Sequence, residues 1–363
     1  MHLRITRRAF AAIAIISLTL GFSSPAHADP QVDRVIAQGL DVPWGITFLP
    51  DGSALVSERD NGTILRVDPK KAAGRNTTQI GKVTGSQATG EGGLLGLALT
   101  EGSATSPPKY LFAYTTTRTD NRVIRIDLKW SGSTVTLGKQ TPILTGIPKN
   151  TYHNGGRLLL GDNETLYVAT GDAGDGDLSQ DRSSLAGKVL HITFEGEPAA
   201  TNPDPTSPVY SVGHRNVQGL AFDDAGNLWA SEFGEKDADE LNLLRAGENY
   251  GWPYVEGQST DFRFENPKVQ WSPTSKASPS GITYADGTIF IASLRGEVLW
   301  QVPIDNTQGR PAVGKAIAAK LGDLGRLRTV AQAPDGSLWL MTSNTDGRGQ
   351  PRSADDRILR LTN

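Results

Sequence analysis

One pattern recurs six times after Gln31: a short run of small and apolar residues, a polar turn, a second apolar run, then a longer loop. The copies pair 44–48 with 54–56, 94–98 with 110–112, 156–159 with 166–169, 218–222 with 228–230, 280–284 with 289–291, and 327–330 with 338–340. Most are joined by residues that tolerate positive φ, as in Asp51-Gly52, Asp162-Asn163, Ala225-Gly226-Asn227, Asp286-Gly287 and Asp335-Gly336, the chemistry of tight hairpin turns. Successive copies start about 47 to 63 residues apart. That period fits one four-stranded propeller blade with its loops, whereas two packed sandwiches leave the repetition without a cause. The expected fold is therefore all-β, a six-bladed β-propeller of four-stranded antiparallel blades. The strand at 32–37 is spare, and it is expected to complete the last blade beside 357–361.

Ahead of the repeats lies a different kind of segment. Arg4, Arg7 and Arg8 precede an apolar run that ends near Pro25 and reaches Ala26-His27-Ala28, a small-x-small cleavage pattern. Residues 1–28 thus read as an export signal, by either the general secretory or the twin-arginine route, and the run is too short for a good membrane anchor. The mature protein is expected to be secreted or periplasmic, with residues 29–363 forming a single propeller domain. Without the three arginines of the signal, the 36 basic residues of the chain become 33 against 39 acidic ones, a net charge of −6. No basic cluster suggests nucleic acid. The chain has no cysteine, so an exported fold must rest on its core rather than on disulfides.

A propeller alone does not define a function; the loops at one mouth of the channel must supply it. His153, in the run Tyr152-His153-Asn154-Gly155-Gly156-Arg157, leads into an inner strand, and Asp172 follows the next strand of the same blade. Neighbouring strands would bring the two to one rim, where a carboxylate fixes the tautomer of an imidazole base; a surface histidine beside an acidic turn is the plain alternative. Arg215 and Asn216 precede the next inner strand in the same way, as an anion partner or as part of a structural salt bridge. The loop holding Gly234, Glu235, Asp239 and Glu240, followed by Tyr250, is rich in acids and carbonyls that suit calcium or simply solvent. The acids Asp172, Asp175, Asp177 and Asp181 fit a calcium loop less well, because their spacing is not that of an EF-hand. Arg295, Arg326 and Arg328 stand at ends or starts of inner strands, where together they would make a polyanion pocket.

In order along the chain, Gly90-Glu91-Gly92-Gly93-Leu94-Leu95-Gly96, His153 with Gly156-Arg157-Leu158, Gly171-Asp172, Gly213-His214-Arg215-Asn216, Asp239-Glu240-Leu241-Asn242, Asn249-Tyr250-Gly251-Trp252-Pro253 and Arg326-Leu327-Arg328 resemble the soluble glucose dehydrogenases and aldose sugar dehydrogenases that depend on pyrroloquinoline quinone (PQQ). The resemblance runs over essentially the whole mature chain. It implies oxidation of an aldose at C1 to the lactone, with PQQ and calcium as cofactors and an external cytochrome, quinone or dye as electron acceptor. His153 would be the general base, Asp172 its partner and a substrate contact, and Arg215 a catalytic group over the reacting carbonyl. Asn216, Arg295, Arg326 and Arg328 would hold PQQ, Gly234 and Glu235 the cofactor's calcium, and Glu240 and Tyr250 a second calcium.

Two residues depart from the family pattern. Glu91 occupies a substrate-facing position where the best-known members have glutamine, and Glu235 replaces a proline. The short loops favour a monomer, and no stable membrane insertion is expected. Two other classes compete: a calcium-dependent lactonase propeller, which has no need of the arginines, and a non-enzymatic propeller that binds carbohydrate or protein, which has no need for His153 and Asp172 to meet.

Overall fold

The computed structural model describes residues 30–103, 105–319 and 321–362; the expected export signal lies outside them. Six small antiparallel sheets account for the regular structure, and the described residues contain no α-helix, only two short 3₁₀ turns. The inner strands are Pro43–Phe48, Leu94–Leu99, Leu158–Gly161, Val217–Phe222, Pro279–Ala285 and Leu327–Gln332. Each opens an up-and-down sheet, as the repeat predicts. The third begins at Leu158 rather than Gly156, because the segment before it is held in an irregular conformation described below. No helix among the described residues is long and apolar enough to cross a membrane.

The last blade closes as expected. Gln31–Gln38 pairs antiparallel with Arg357–Thr362, outside Leu338–Thr342 and Leu327–Gln332. The fifth blade differs from the expected four strands. Its edge is split into Ala312–Val313 and Ile317–Ala319, both paired with Leu299–Asp305. The two pieces follow one antiparallel course, and the break falls beside Pro303, which has no N–H to give to the ladder; Gly314 bonds the Pro303 carbonyl there instead.

Strands such as Ala54–Glu58 and Leu338–Thr342 are buried along their whole length, because each blade is covered on both faces by its neighbours. That is why these strands read as unbroken apolar runs rather than as alternation. The core is correspondingly divided into six clusters, each between two adjacent blades. Phe112, Tyr114, Leu158 and Leu166 lie between the second and third blades, for example, and Ile36, Val56, Trp339 and Ile358 between the sixth and first.

Around the channel several inner-strand backbones accept a hydrogen bond from the neighbouring blade or give one to it. Ser57 Oγ donates to the Leu95 carbonyl at 2.6 Å, Gly96 N–H to Gly156 at 3.1 Å, Arg157 Nε to Gln218 at 2.8 Å and Ser231 Oγ to Ser280 at 2.5 Å. Thr329 Oγ1 closes the ring on the Trp44 carbonyl at 2.9 Å. Glycine permits this approach: a Cβ on Gly45 would lie 2.6 Å from the Leu95 oxygen, and one on Gly96 would run into the Gly156 oxygen. Gly96→Ala is therefore expected to destabilise the protein by at least about 2–3 kcal/mol, the scale of forced overpacking, measured as a shift of the urea or thermal unfolding midpoint.

Candidate active site

The loops at one end of the channel surround a cavity of about 690 Å³. His153 stands at its wall with φ +57, a left-handed conformation that costs a non-glycine residue about 1–2 kcal/mol. Several contacts hold it there. Glu91 Oε2 accepts its N–H at 3.0 Å, and its carbonyl accepts the Ala173 N–H at 3.1 Å. The next residue, Asn154, is buried; its carbonyl accepts the Tyr114 hydroxyl at 2.8 Å and its side-chain oxygen accepts the Asn121 amide at 3.0 Å. Gly155 then donates to Asn216 Oδ1 at 3.0 Å. The loop is thus tied to the second and fourth blades before the strand Leu158–Gly161 begins.

The expected pair is formed. His153 Nδ1 lies 2.7 Å from Asp172 Oδ1, with the carboxylate almost wholly buried and the imidazole 15% exposed. Gly174 N–H donates to the same oxygen at 2.7 Å, and Trp252 Nε1–H to the other at 2.9 Å. A carboxyl that already accepts on both oxygens accepts from the imidazole too, so the proton sits on Nδ1 and Nε2 keeps its lone pair. The Trp252 ring also lies 5.3 Å from the Arg215 guanidinium carbon. One indole thereby braces both Asp172 and Arg215, a role that sequence spacing does not reveal.

Arg215, Arg295, Arg326 and Arg328 all line the cavity, as do Glu91, Gly234 and Glu235. Arg215 is fixed through its backbone by a short bond to Glu232 Oε1 and through its side chain by the Phe233 carbonyl at 3.3 Å. Arg295 is exposed. Arg326 and Arg328 are buried and share one carboxylate, Asp346, at 2.9 and 3.6 Å. A further guanidinium, Arg157, crosses the channel floor 4.2 Å from the Trp44 ring and bonds the Gln218 carbonyl and Thr329. Burial, added to by repulsion from Arg328, pushes Arg157 down to about 9; burial also pushes Arg328 down to about 10, against the pull of Asp346. Both remain charged at neutral pH, and the deep cavity holds more positive than negative charge. Arg328 Nε, Arg215 Nε and Asn216 Nδ2 are buried donors without partners. A buried donor of that kind calls for an acceptor, so the floor suits a rigid polyanion.

The acidic loop is divided between two places. Asp239 reaches the cavity wall, where burial pushes its carboxyl up to about 7. Glu240 and Tyr250 lie behind that wall, beside a void of about 10 Å³ shared with Glu232, the size of one water or ion. Burial and the Glu232 carboxylate push Glu240 up to about 8, a conflict that a cation would relieve. The Tyr250 hydroxyl donates to the Leu243 carbonyl and accepts the Arg245 N–H. Glu91 has a double engagement not visible in the sequence: Oε2 holds the His153 backbone while Oε1 pairs with Arg348 at 2.9 Å.

A histidine–carboxylate pair and a cationic floor thus share one channel mouth of this propeller. The Glucose / Sorbosone dehydrogenase family model matches residues 40–359, and the chain belongs to that family of oxidoreductases. It is 50% identical to the aldose sugar dehydrogenase of Streptomyces coelicolor, solved in its PQQ-bound form, with a TM-score of 0.85 over 93% of this chain and 98% of that one. It is 31% identical to quinoprotein glucose dehydrogenase B of Acinetobacter calcoaceticus, across 69% of this chain and 58% of that protein. An aldose sugar dehydrogenase of Escherichia coli is 26% identical over 94% and 97% of the two chains.

The loop that carries Asp172 is anchored by a buried lysine. Lys188 Nζ donates to the Leu178 and Ala186 carbonyls at 2.7 and 2.6 Å, and burial pushes its ammonium from 10.5 down to about 8. Between those two values the unfolded chain binds a proton that the folded chain has released, so this group makes stability rise with pH across that window. Thermal melts at about pH 8 and about pH 10 are expected to show this gain in the wild type relative to Lys188→Met.

Proposed function

We propose that this chain is a calcium-dependent quinoprotein that oxidises aldoses at C1 to lactones, using PQQ and passing the electrons to an external acceptor. The observation that carries the proposal is the His153–Asp172 pair at 2.7 Å, set at the mouth of a cavity with surplus buried positive charge. PQQ has three carboxylates, and the unpartnered donors of Arg215, Asn216 and Arg328, with Arg326 and Arg295, fit it. When bound, PQQ supplies an ortho-quinone that takes up hydride from the sugar's C1.

The chain's own part is position and proton transfer. His153 Nε2 takes the proton of the C1 hydroxyl, and Asp172 keeps the ring oriented and steadies the imidazolium that forms. Arg215 places positive charge where the acceptor becomes negative. Glu91, fixed between His153 and Arg348, borders the substrate space. Gly234 and Glu235 offer main-chain oxygens for the cofactor's calcium, and Glu240, with the main chain at Tyr250, a second site. A lactonase has no need of the arginine floor, and a binding propeller has no need for His153 and Asp172 to meet. Export to the periplasm or beyond, and a monomeric state, complete the proposal.

Two experiments test it. Purified protein freed of PQQ and calcium should reduce a dye with aldoses only when both are restored, and the restored form should melt at a higher temperature, since a ligand of the folded state stabilises by mass action. Sugar oxidation by protein free of PQQ would overturn the proposal. His153→Ala should still take up PQQ, followed by absorbance, yet turn over roughly 10²–10⁴ times more slowly, the usual share of a positioned acid–base group. Near-normal turnover in that variant would remove His153 as the base.

A further inference from the structure

The wall segment that includes Gly234 and Glu235 is wrapped around one carboxylate oxygen from outside the cavity. Glu256 Oε1 accepts four successive backbone N–H groups: Glu235 at 2.7 Å, and Lys236, Asp237 and Ala238 at 3.0 Å each. The preceding N–H, of Gly234, goes to Asp239 Oδ1 at 3.0 Å. Successive amides that converge on an anion form a nest, and bonds to an ionised acceptor are stronger than neutral ones.

The consequence follows from peptide geometry. In a trans peptide the C=O points opposite the N–H, so four N–H groups aimed at Glu256 turn the carbonyls of Gly234, Glu235, Lys236 and Asp237 away from it. Gly234 and Glu235 line the cavity; Glu256 does not. Two further contacts show how closely the carboxylate is seated. A Cβ on Gly234 would collide with Glu256 Oε1 and with the Ala238 carbonyl, so only glycine lets the segment close on this oxygen. The residue after Glu256 is pinned in turn, with Gly257 N–H donating to the buried Glu240 Oε1 at 2.7 Å.

We infer that Glu256 is a positioning residue for the cation-binding wall: its carboxylate gathers the amides of 235–238 and so presents the carbonyls of Gly234 and Glu235 to a divalent cation in the cavity. It also sets a full negative charge behind those carbonyls, on the side away from the cavity. The inference deepens the calcium-dependent reading and rests on it.

The test uses the full chain, stripped of cofactors and given PQQ, with calcium chloride titrated in and PQQ uptake followed by absorbance. Glu256→Ala should raise the calcium concentration for half-maximal uptake at least about tenfold, as expected when several charge-assisted bonds are lost. Glu256→Gln keeps an acceptor oxygen in the same place and should recover much of the loss, with a deficit of about threefold for the missing charge. Backbone amide exchange at 235–238 should accelerate in Glu256→Ala and stay slow in Glu256→Gln. A calcium midpoint in folded Glu256→Ala equal to that of a calcium-responsive wild type would overturn the role of Glu256 alone. A wild type whose PQQ uptake ignores calcium would overturn the calcium reading and this inference together. If Glu256→Ala does not fold, a Glu256→Gln midpoint and exchange pattern as poor as those of Glu256→Asp would also count against it, because the placed oxygen would then not be what matters.

Discussion

Six inner strands can surround one channel only if their backbones come within hydrogen-bonding distance of one another, and everything else in this protein depends on that approach. Glycines at 45 and 96 remove the side chain that would hold neighbouring blades apart, and small hydroxyls at 57, 231 and 329 supply the bridging bonds. The ring so formed is narrow. The side chains that enter it, Arg157 and Arg328, only donate, and they find acceptors on other blades: the Gln218 carbonyl and Thr329 Oγ1 for Arg157, Gln218 Oε1 and Ser280 Oγ for Arg328. The cationic floor is therefore a product of the same packing that builds the fold: a guanidinium carries five donors in a flat fork, and few other groups could bridge three blades at once.

The site above that floor is assembled from loops that would be mobile in isolation, and buried amides and carboxylates remove that freedom. Asn154 ties the histidine loop to the second blade. Asn216 Oδ1 ties the same loop to the fourth. Glu232 receives the backbone of Arg215 and, at 2.9 Å, the ring of the buried His214, which is stacked on Tyr250. The positive φ of His153 is sustained because the residues on either side of it are over-determined, the circumstance in which backbone strain persists at a working site.

Much of this could be read in the sequence because a propeller is a repeat. Once a period is found, equivalent positions share a rim, so the meeting of His153 with Asp172 and the place of Arg215 follow from their offsets to the apolar runs. The closing strand follows in the same way, as the one strand without a blade of its own. What could not be read are contacts between loops of different blades. Asp346 as the shared partner of Arg326 and Arg328, Arg348 as the partner of Glu91, Trp252 as the brace of Asp172, and Glu256 behind the acidic loop all lie in segments whose course no periodicity fixes. Arg157 was visible as part of a motif, but its span across the channel depends on the channel's width. The break beside Pro303 belongs with these: the missing donor is visible in the residue type, but its lying on the side of the edge strand depends on the register of the blade.

The pairing of Gln31–Gln38 with Arg357–Thr362 has a consequence in time. Arg360 bonds Asp33 across 327 positions of sequence, so the first strand finds its neighbour only after the last one exists. Contacts that distant slow folding, because the entropy of bringing the ends together is lost before the contact rewards it. During synthesis the leading strand must remain an open edge, with Val32 and Val35 outward even in the finished molecule, and an unpaired apolar edge invites pairing with another chain. For this architecture the vulnerable moment is the interval between the emergence of the first strand and that of the last, not the life of the folded ring.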